Sequence, residues 1–283
     1  MPEEKKKKTP EDFRRESKES FLAPPAPGAH IGRVIGVVSG KGGVGKSLVT
    51  ALSACILRKE GLKVGILDAD ITGPSIPRMF GVDTLSSVTD ELMGPAESKS
   101  GIKIMSLNLI MDNDTDPVIW RGPVIAGVVK QFWSEVDWGT LDVMLVDMPP
   151  GTGDVPLTVF QSLPVDGIVV VTTPQELVSM IVEKAENMAQ MMDIPVLGVV
   201  ENMAYMKCPH CGEMVELFSS GGNGAAAHAA SRGLDVLARL PIAPELAGLC
   251  DTGRIEEADT DSLALEILTE RLMTSVTGGA LGA

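Results

Sequence analysis

Gly40-Lys41-Gly42-Gly43-Val44-Gly45-Lys46-Ser47 decides how this chain folds. The run before it, Val34–Val38, is apolar and largely β-branched. The run after it, Ser47–Glu60, repeats apolar residues at Leu48, Leu52, Ile56 and Leu57. A buried strand, a glycine-rich loop and a helix in that order are the context a phosphate-binding loop requires. The glycines let backbone N–H groups turn toward phosphate oxygens, where a side chain would intrude. The helix opening near Lys46 aims the positive end of its dipole at the same anion. Residues 40–48, from Gly40 through Lys46 and Ser47 to Leu48, are therefore predicted to hold ATP. Lys46 is placed to reach the β and γ phosphates, and Ser47 to ligate magnesium.

Outward from the loop the same alternation repeats. Val64–Leu67, Val143–Val146, Ile168–Thr172 and Val196–Val200 read as buried parallel strands. Glu176–Met191 and Asp261–Met273 carry helical spacing between or after them. Strand–helix alternation predicts an α/β fold, doubly wound, with a mostly parallel sheet flanked by helices. Ligands of such sheets bind beyond the carboxyl ends of the strands.

The chain has 283 residues, 44% hydrophobic, which suffices for one large α/β domain with an ample core. A net charge of −14 argues against nucleic acid as a partner, because phosphate backbones repel such a surface. No apolar run is long enough to span a membrane. The lysines of Met1–Lys8 have no hydrophobic segment behind them, so they do not read as a secretory signal. Four cysteines in a chain this size make no disulfide framework, which points to a reducing, cytoplasmic setting. Residues 1–30, with a lysine run and a proline-rich stretch, and residues 275–283 read as tails around one domain over 31–274.

Three more segments end predicted strands. Leu67-Asp68-Ala69-Asp70 places two carboxylates at i and i+2, on one face; the alternative is that both cap the turn before Gly73-Pro74. Asp147 ends an apolar strand, where a carboxylate is costly unless it meets a cation, so it is predicted to hold magnesium through water. Asn202 ends the strand Val196–Val200, where the alternative is a turn cap.

Cys208-Pro209-His210-Cys211-Gly212 supplies two thiolates, whereas zinc or an iron–sulfur cluster usually takes four. Cys55 and Cys250 fall in helical stretches and read as structural. Two chains around a two-fold axis would complete the count. The same tetrapeptide occurs in thiol oxidoreductases, but there the first cysteine opens a helix. Here the alternating run Glu213–Phe218 follows, predicting a metal knuckle on a hairpin, with His210 facing solvent. An iron–sulfur cluster is the favoured cargo; structural zinc and a redox dithiol are the alternatives.

Lys41, directly after the first glycine, resembles the deviant loop of the MinD/ParA-like ATPases. That resemblance implies a homodimer in which Lys41 reaches the partner's nucleotide. It further implies that Asp70 acts on the attacking water, that Asp68 lies near the magnesium shell, that Gly151 or Gly153 senses the γ-phosphate, and that Asn202 reads the adenine edge. Adding Asp68–Ser75, Trp120–Pro123, Asp147–Asp154, Glu201–Met203, the cysteine pair and Phe218–Gly222, the chain resembles the Mrp/ApbC family over roughly residues 30 to 273. The resemblance implies a slow ATPase whose homodimer binds a labile [4Fe-4S] cluster, in contact with a cluster scaffold, and passes it to apo-proteins. Two features depart from the family. Residues 1–30 hold no cysteine to match the amino-terminal cluster of eukaryotic relatives, and the small α/β domain of many bacterial members has no counterpart before the loop. A positioning ATPase would want a membrane-binding helix or a basic face, and a reductase accessory protein would want cysteines within Asp147–Val155; neither occurs.

Overall fold

The computed structural model describes residues 22–70, 73, 75–89, 92–111, 122–151, 153–174, 178–216 and 229–278. Ile71, Thr72, Pro74, Trp120-Arg121, Thr152 and Phe218–Gly222 of the expected motifs lie outside these residues. In chain order the strands are β1 (His30–Ser39), β2 (Val64–Asp68), β3 (Ser87–Val88), β4 (Met93–Gly94), β5 (Ala96–Glu97), β6 (Lys103–Met105), β7 (Thr140–Asp147), β8 (Gly167–Thr172), β9 (Val196–Lys207), β10 (Met214–Val215) and β11 (Val236–Ile242). The helices are α1 (Lys46–Lys59), α2 (Ile76–Phe80), α3 (Gly122–Ser134), α4 (Asp154–Ser162), α5 (Val178–Met191), α6 (Pro244–Asp251) and α7 (Glu266–Thr277).

Among the described residues nine strands make the main sheet, in the order β10-β9-β8-β1-β7-β2-β6-β5, with β11 also on β9. The pairs from β9 through β6 are parallel, as is β11 on β9; the edge strands β10 and β5 run antiparallel. The alternating residues of β1 explain the two layers. Ile35 and Val37 face a core shared with Leu52 of α1, Leu246 of α6 and Leu268 of α7. Val34 and Val38 face the opposite core, with Phe132 of α3, Phe160 of α4 and Met188 of α5. Both faces are dry, which is why the strands are continuous apolar runs. Leu52 and Leu268 are fully buried, so truncating either to alanine should cost about 2–5 kcal/mol.

The doubly wound, mostly parallel sheet is the one the sequence predicts. The ends of the domain differ from expectation. Residues 22–29 form no helix or strand, yet they pack: the Ala23 N–H donates to the Ser162 carbonyl, the Ala26 N–H to Trp133, and the Trp133 indole back to Ala23. Proline forbids regular structure but not burial, and Ala26 is in the core. At the other end α7 runs on to Thr277 and closes on Gly278 at φ 77, a left-handed helix cap. The predicted helix Asp261–Met273 is split, because Ala264 at φ 48 separates a short 3-10 turn over Thr260–Leu263 from α7. Among the described residues no helix is long and apolar enough to cross a membrane.

Candidate functional site

β1 ends at Ser39, whose hydroxyl donates to the Lys41 carbonyl and folds the chain back into the loop. Gly43 and Gly45 take φ 78 and 83, the left-handed values that glycine tolerates. A Cβ built on Gly42 or Gly43 would meet nothing, so the loop leaves an open cradle where side chains would stand. Helix α1 begins on Gly45 with no side-chain cap and no acidic residue in its first turn. Its uncapped N–H groups are what an anion would satisfy. Leu48, expected among the ligand contacts, packs its side chain on the core and can offer only its N–H. Lys41 is half-buried beside the cradle.

Lys46 is buried, with its ammonium 2.8 Å from Asp147 Oδ1 and 3.4 Å from Asp70 Oδ2. These are ion-pair distances, but the angles give the ammonium no formal hydrogen bond. Asp147 is fully buried and accepts from Ser47 Oγ at 2.6 Å and Thr50 Oγ1 at 2.8 Å. Asp68 lies beside it in register across β2 and β7. Burial, and then the neighbouring Asp147, push the Asp68 carboxyl well above the usual carboxylate range. Even with the Asp68 carboxyl protonated, one ammonium faces the two carboxylates of Asp70 and Asp147, a deficit of positive charge that a divalent cation would fill. Ser47 and Asp147 fit magnesium by chemistry and position. Asp68 is engaged otherwise: it accepts from the N–H groups of Asp70 and Ile76 and from Ser106 Oγ. The Gly151 N–H donates to the Ser39 carbonyl, so of the two glycines expected to sense phosphate its amide is already engaged.

Asn202 is buried and donates from Nδ2 to the Val44 carbonyl inside the loop, 2.9 Å away. A bulge aims it there. Arg239 of β11 pairs with Glu201 and Pro241 with Tyr205, so Asn202, Met203 and Ala204 stand opposite Leu240 alone. Met203 takes φ 57, a left-handed value that costs a side-chain-bearing residue roughly 1–2 kcal/mol. The residue before, Glu201, is buried and accepts from Arg239 Nε at 2.7 Å, while Arg239 Nη2 reaches Glu216 at 3.2 Å. The Glu201 hydrogen bond raises the guanidinium above its ordinary pKa.

β9 continues from Asn202 to Lys207 and leads into the cysteines. Met214 and Val215 of β10 pair back with Lys207 and Met206, so Cys208–Glu213 is a hairpin turn, as predicted. The Cys208 N–H donates to the Glu213 carbonyl and the Gly212 N–H to the Cys208 carbonyl, each at 2.8 Å. Gly212 sits at φ 74. The Cys211 and His210 N–H groups point at the Cys208 sulfur and, with the Cys211 thiol, lower its pKa. Backbone donors around a sulfur stabilise the thiolate, the form that binds metal. Cys211 and His210 are exposed. Among the described residues no group of three or more His, Cys, Asp or Glu is arranged to hold a metal ion. Cys55 is buried on α1, where burial and then Glu256 push its thiol up to about 12.

A family model described as ParA, NUBPL iron-transfer P-loop NTPase, matches residues 30–276. The chain belongs to the NUBPL iron-transfer P-loop NTPase family. The iron–sulfur cluster carrier protein of Clostridium perfringens is 46% identical over 251 residues, covering 86% of this chain and 87% of the relative. That of Methanocaldococcus jannaschii is 47% identical over 212 residues, covering 73% of this chain and 71% of its own. Among solved structures, the Archaeoglobus fulgidus nucleotide-binding protein in complex with ADP, with cobalt found in it, is 44% identical. It superposes with a TM-score of 0.72 over 87% of this chain and 95% of its own. The cell-division ATPase MinD of Pyrococcus furiosus shares the fold at 18% identity, TM-score 0.58, over 86% of this chain and 99% of its own.

In this member of the family the structure adds residues that the motifs did not single out. Thr50 is one turn beyond Lys46 and hydrogen-bonds Asp147; its helical spacing from Lys46 was the available signal. Ser106 and Arg239 reach their carboxylates from 38 residues away in sequence, and no local pattern announces either.

Proposed function

We propose that this chain is an ATP-dependent iron–sulfur cluster carrier that holds a [4Fe-4S] cluster between two copies of itself and delivers it to apo-proteins. The observation that carries the reading is the placement of Cys208 and Cys211 on a thiolate-stabilising hairpin, at the end of the strand whose Asn202 touches the nucleotide loop. Two cysteines per chain and four thiolates per cluster support the homodimer. Exposure suits a cargo that must be handed on. A cytoplasmic location, a scaffold that loads the carrier and apo-protein clients belong to the same reading.

At the loop, Lys46 and the first N–H groups of α1 bind the β and γ phosphates. Ser47 and Asp147 hold magnesium, which when bound neutralises phosphate charge. Asp70, 3.4 Å from Lys46, orients the attacking water, and Lys41 reaches the partner's nucleotide. Asn202 turns its amide from Val44 toward the adenine edge. Asp68 supports Asp70 by holding its N–H.

Cluster transfer to an apo-acceptor tests this. Reconstituted wild type should deliver its cluster at a rate that depends on ATP, and Lys41→Ala should bind ATP yet lose that dependence. Equal rates with and without ATP in the wild type contradict ATP dependence; absence of any transfer contradicts the carrier reading.

A further inference from the structure

One strand joins the nucleotide loop to the cysteine hairpin, and its middle is tied to that hairpin a second time by a single side chain. Glu201 and Asn202 are consecutive on β9 and so point to opposite faces of the sheet. Asn202 holds the Val44 carbonyl on the α1 face. Glu201, nearly inaccessible at 1% exposure, holds Arg239 Nε on the other. The same guanidinium extends Nη2 to Glu216, the residue directly after β10. Arg239 therefore bridges the residue before the nucleotide contact to the return limb of the cysteine hairpin. The planar fork of arginine can serve two carboxylates at once, which an ammonium on a flexible stem does less well.

The backbone at this joint departs from a regular strand. Three residues of β9 stand against one of β11, and the middle one, Met203, is held in the left-handed region. Bulges re-aim side chains, and a non-glycine residue in that region persists only while its surroundings hold it there. A ligand that draws the Asn202 amide off Val44 removes one of those holds.

We propose that Arg239 is a positioning residue through which the cysteine hairpin reads nucleotide occupancy of the loop. Movement of Asn202 rotates the Glu201–Met203 backbone, Glu201 carries Arg239 with it, and Arg239 pulls Glu216 and the hairpin. For its purpose this rests on the carrier reading; its observable does not.

The test is alkylation of the reduced, cluster-free full-length protein, followed cysteine by cysteine by mass spectrometry. It is run with and without magnesium and a non-hydrolysable ATP analogue, with Cys250 as the reference within each sample. In the wild type, nucleotide should change the Cys208 rate by about fivefold or more, the scale of an ordinary coupling between sites. In Arg239→Met that ratio should fall to about one, the value for uncoupled sites. Arg239→Met also removes the hydrogen bond to the buried Glu201, so Glu216→Ala is run beside it. That substitution cuts only the exposed limb, and it should abolish the ratio while leaving nucleotide affinity unchanged. A wild-type ratio of about one, or an undiminished ratio in Glu216→Ala, overturns the proposal. Iron loading of the same preparations separates it from the carrier reading. Protein that takes no cluster but keeps an Arg239-dependent ratio contradicts the carrier and supports the coupling. Protein that loads normally with a ratio indifferent to Arg239 does the reverse.

Discussion

Around Lys46 the polar groups are buried and most already hold protein partners; around Cys208 they are exposed. Asp147 alone meets Lys46, Ser47 and Thr50 before any ligand arrives. The cysteine hairpin has its backbone hydrogen bonds in place, but it presents two sulfurs where a cluster needs four. A site made from strand ends and a helix start has most of its groups fixed within one chain, because the sheet positions those elements, and only Lys41 is proposed to come from the partner. A site on a hairpin tip gains precision from its turn alone and must draw its remaining ligands from outside. The first arrangement suits a reaction, the second an exchange.

The largest expected effect separates the two regions. Lys46→Ala should lower nucleotide affinity at least about a hundredfold, since charge-assisted phosphate bonds contribute roughly 1.5–3 kcal/mol each. It should leave iron loading at Cys208 and Cys211 intact. Equilibrium dialysis with ATP and iron analysis on one preparation would show both; wild-type ATP affinity in that variant would remove Lys46 from the site.

Asp70→Asn is more selective, acting on turnover alone. It keeps size and polarity beside Lys46 but removes the negative charge on the water, so turnover should fall on the order of 10²–10⁴-fold with nucleotide binding retained. A phosphate-release assay beside a binding titration would decide it. Loss of binding with turnover per bound nucleotide preserved would instead make Asp70 a structural partner of Lys46.

Much of the nucleotide region was legible in the sequence because its logic is local. Glycines at 40, 42, 43 and 45, then Lys46 and Ser47, state strand, turn, cradle and helix start within eight residues. The hairpin was legible for the same reason: Gly212 and the alternation after it forbid a helix on Cys208. The supports were not legible. Thr50, Ser106 and Arg239 act through partners brought near by the sheet, and a bulge sets the aim of Asn202. Residues 22–29 misled for a physical reason as well, since proline marks the absence of regular structure but says nothing of burial. Asp68 shows the limit of motif reading: its carboxyl group lies beside Asp147 yet already accepts from the Asp70 and Ile76 N–H groups and from Ser106 Oγ.

The smallest effect lies away from both regions, on α1. Cys55 keeps its proton in the folded state up to about 12, against 9.0 ordinarily. The unfolded chain ionises first, so this thiol's stability contribution is present below 9.0 and is lost as pH rises toward 12. At most it changes stability by about 1.4 kcal/mol per pH unit in that window. Urea unfolding should show a shallower alkaline loss in Cys55→Ala than in the wild type; identical slopes would mean that the thiol is already ionised or hydrated when folded.

The central claim is that two hairpins share one cluster, and iron counting combined with sedimentation addresses it most directly. Protein reconstituted anaerobically with iron and sulfide should run as a dimer carrying about four irons per two chains, the content of one four-cysteine cluster. Cys208→Ala and Cys211→Ala should each carry none, since symmetry deletes two ligands at once, while Cys55→Ala and Cys250→Ala should match the wild type. Full cluster occupancy on a monomer, or a cluster retained in Cys211→Ala, would contradict the account.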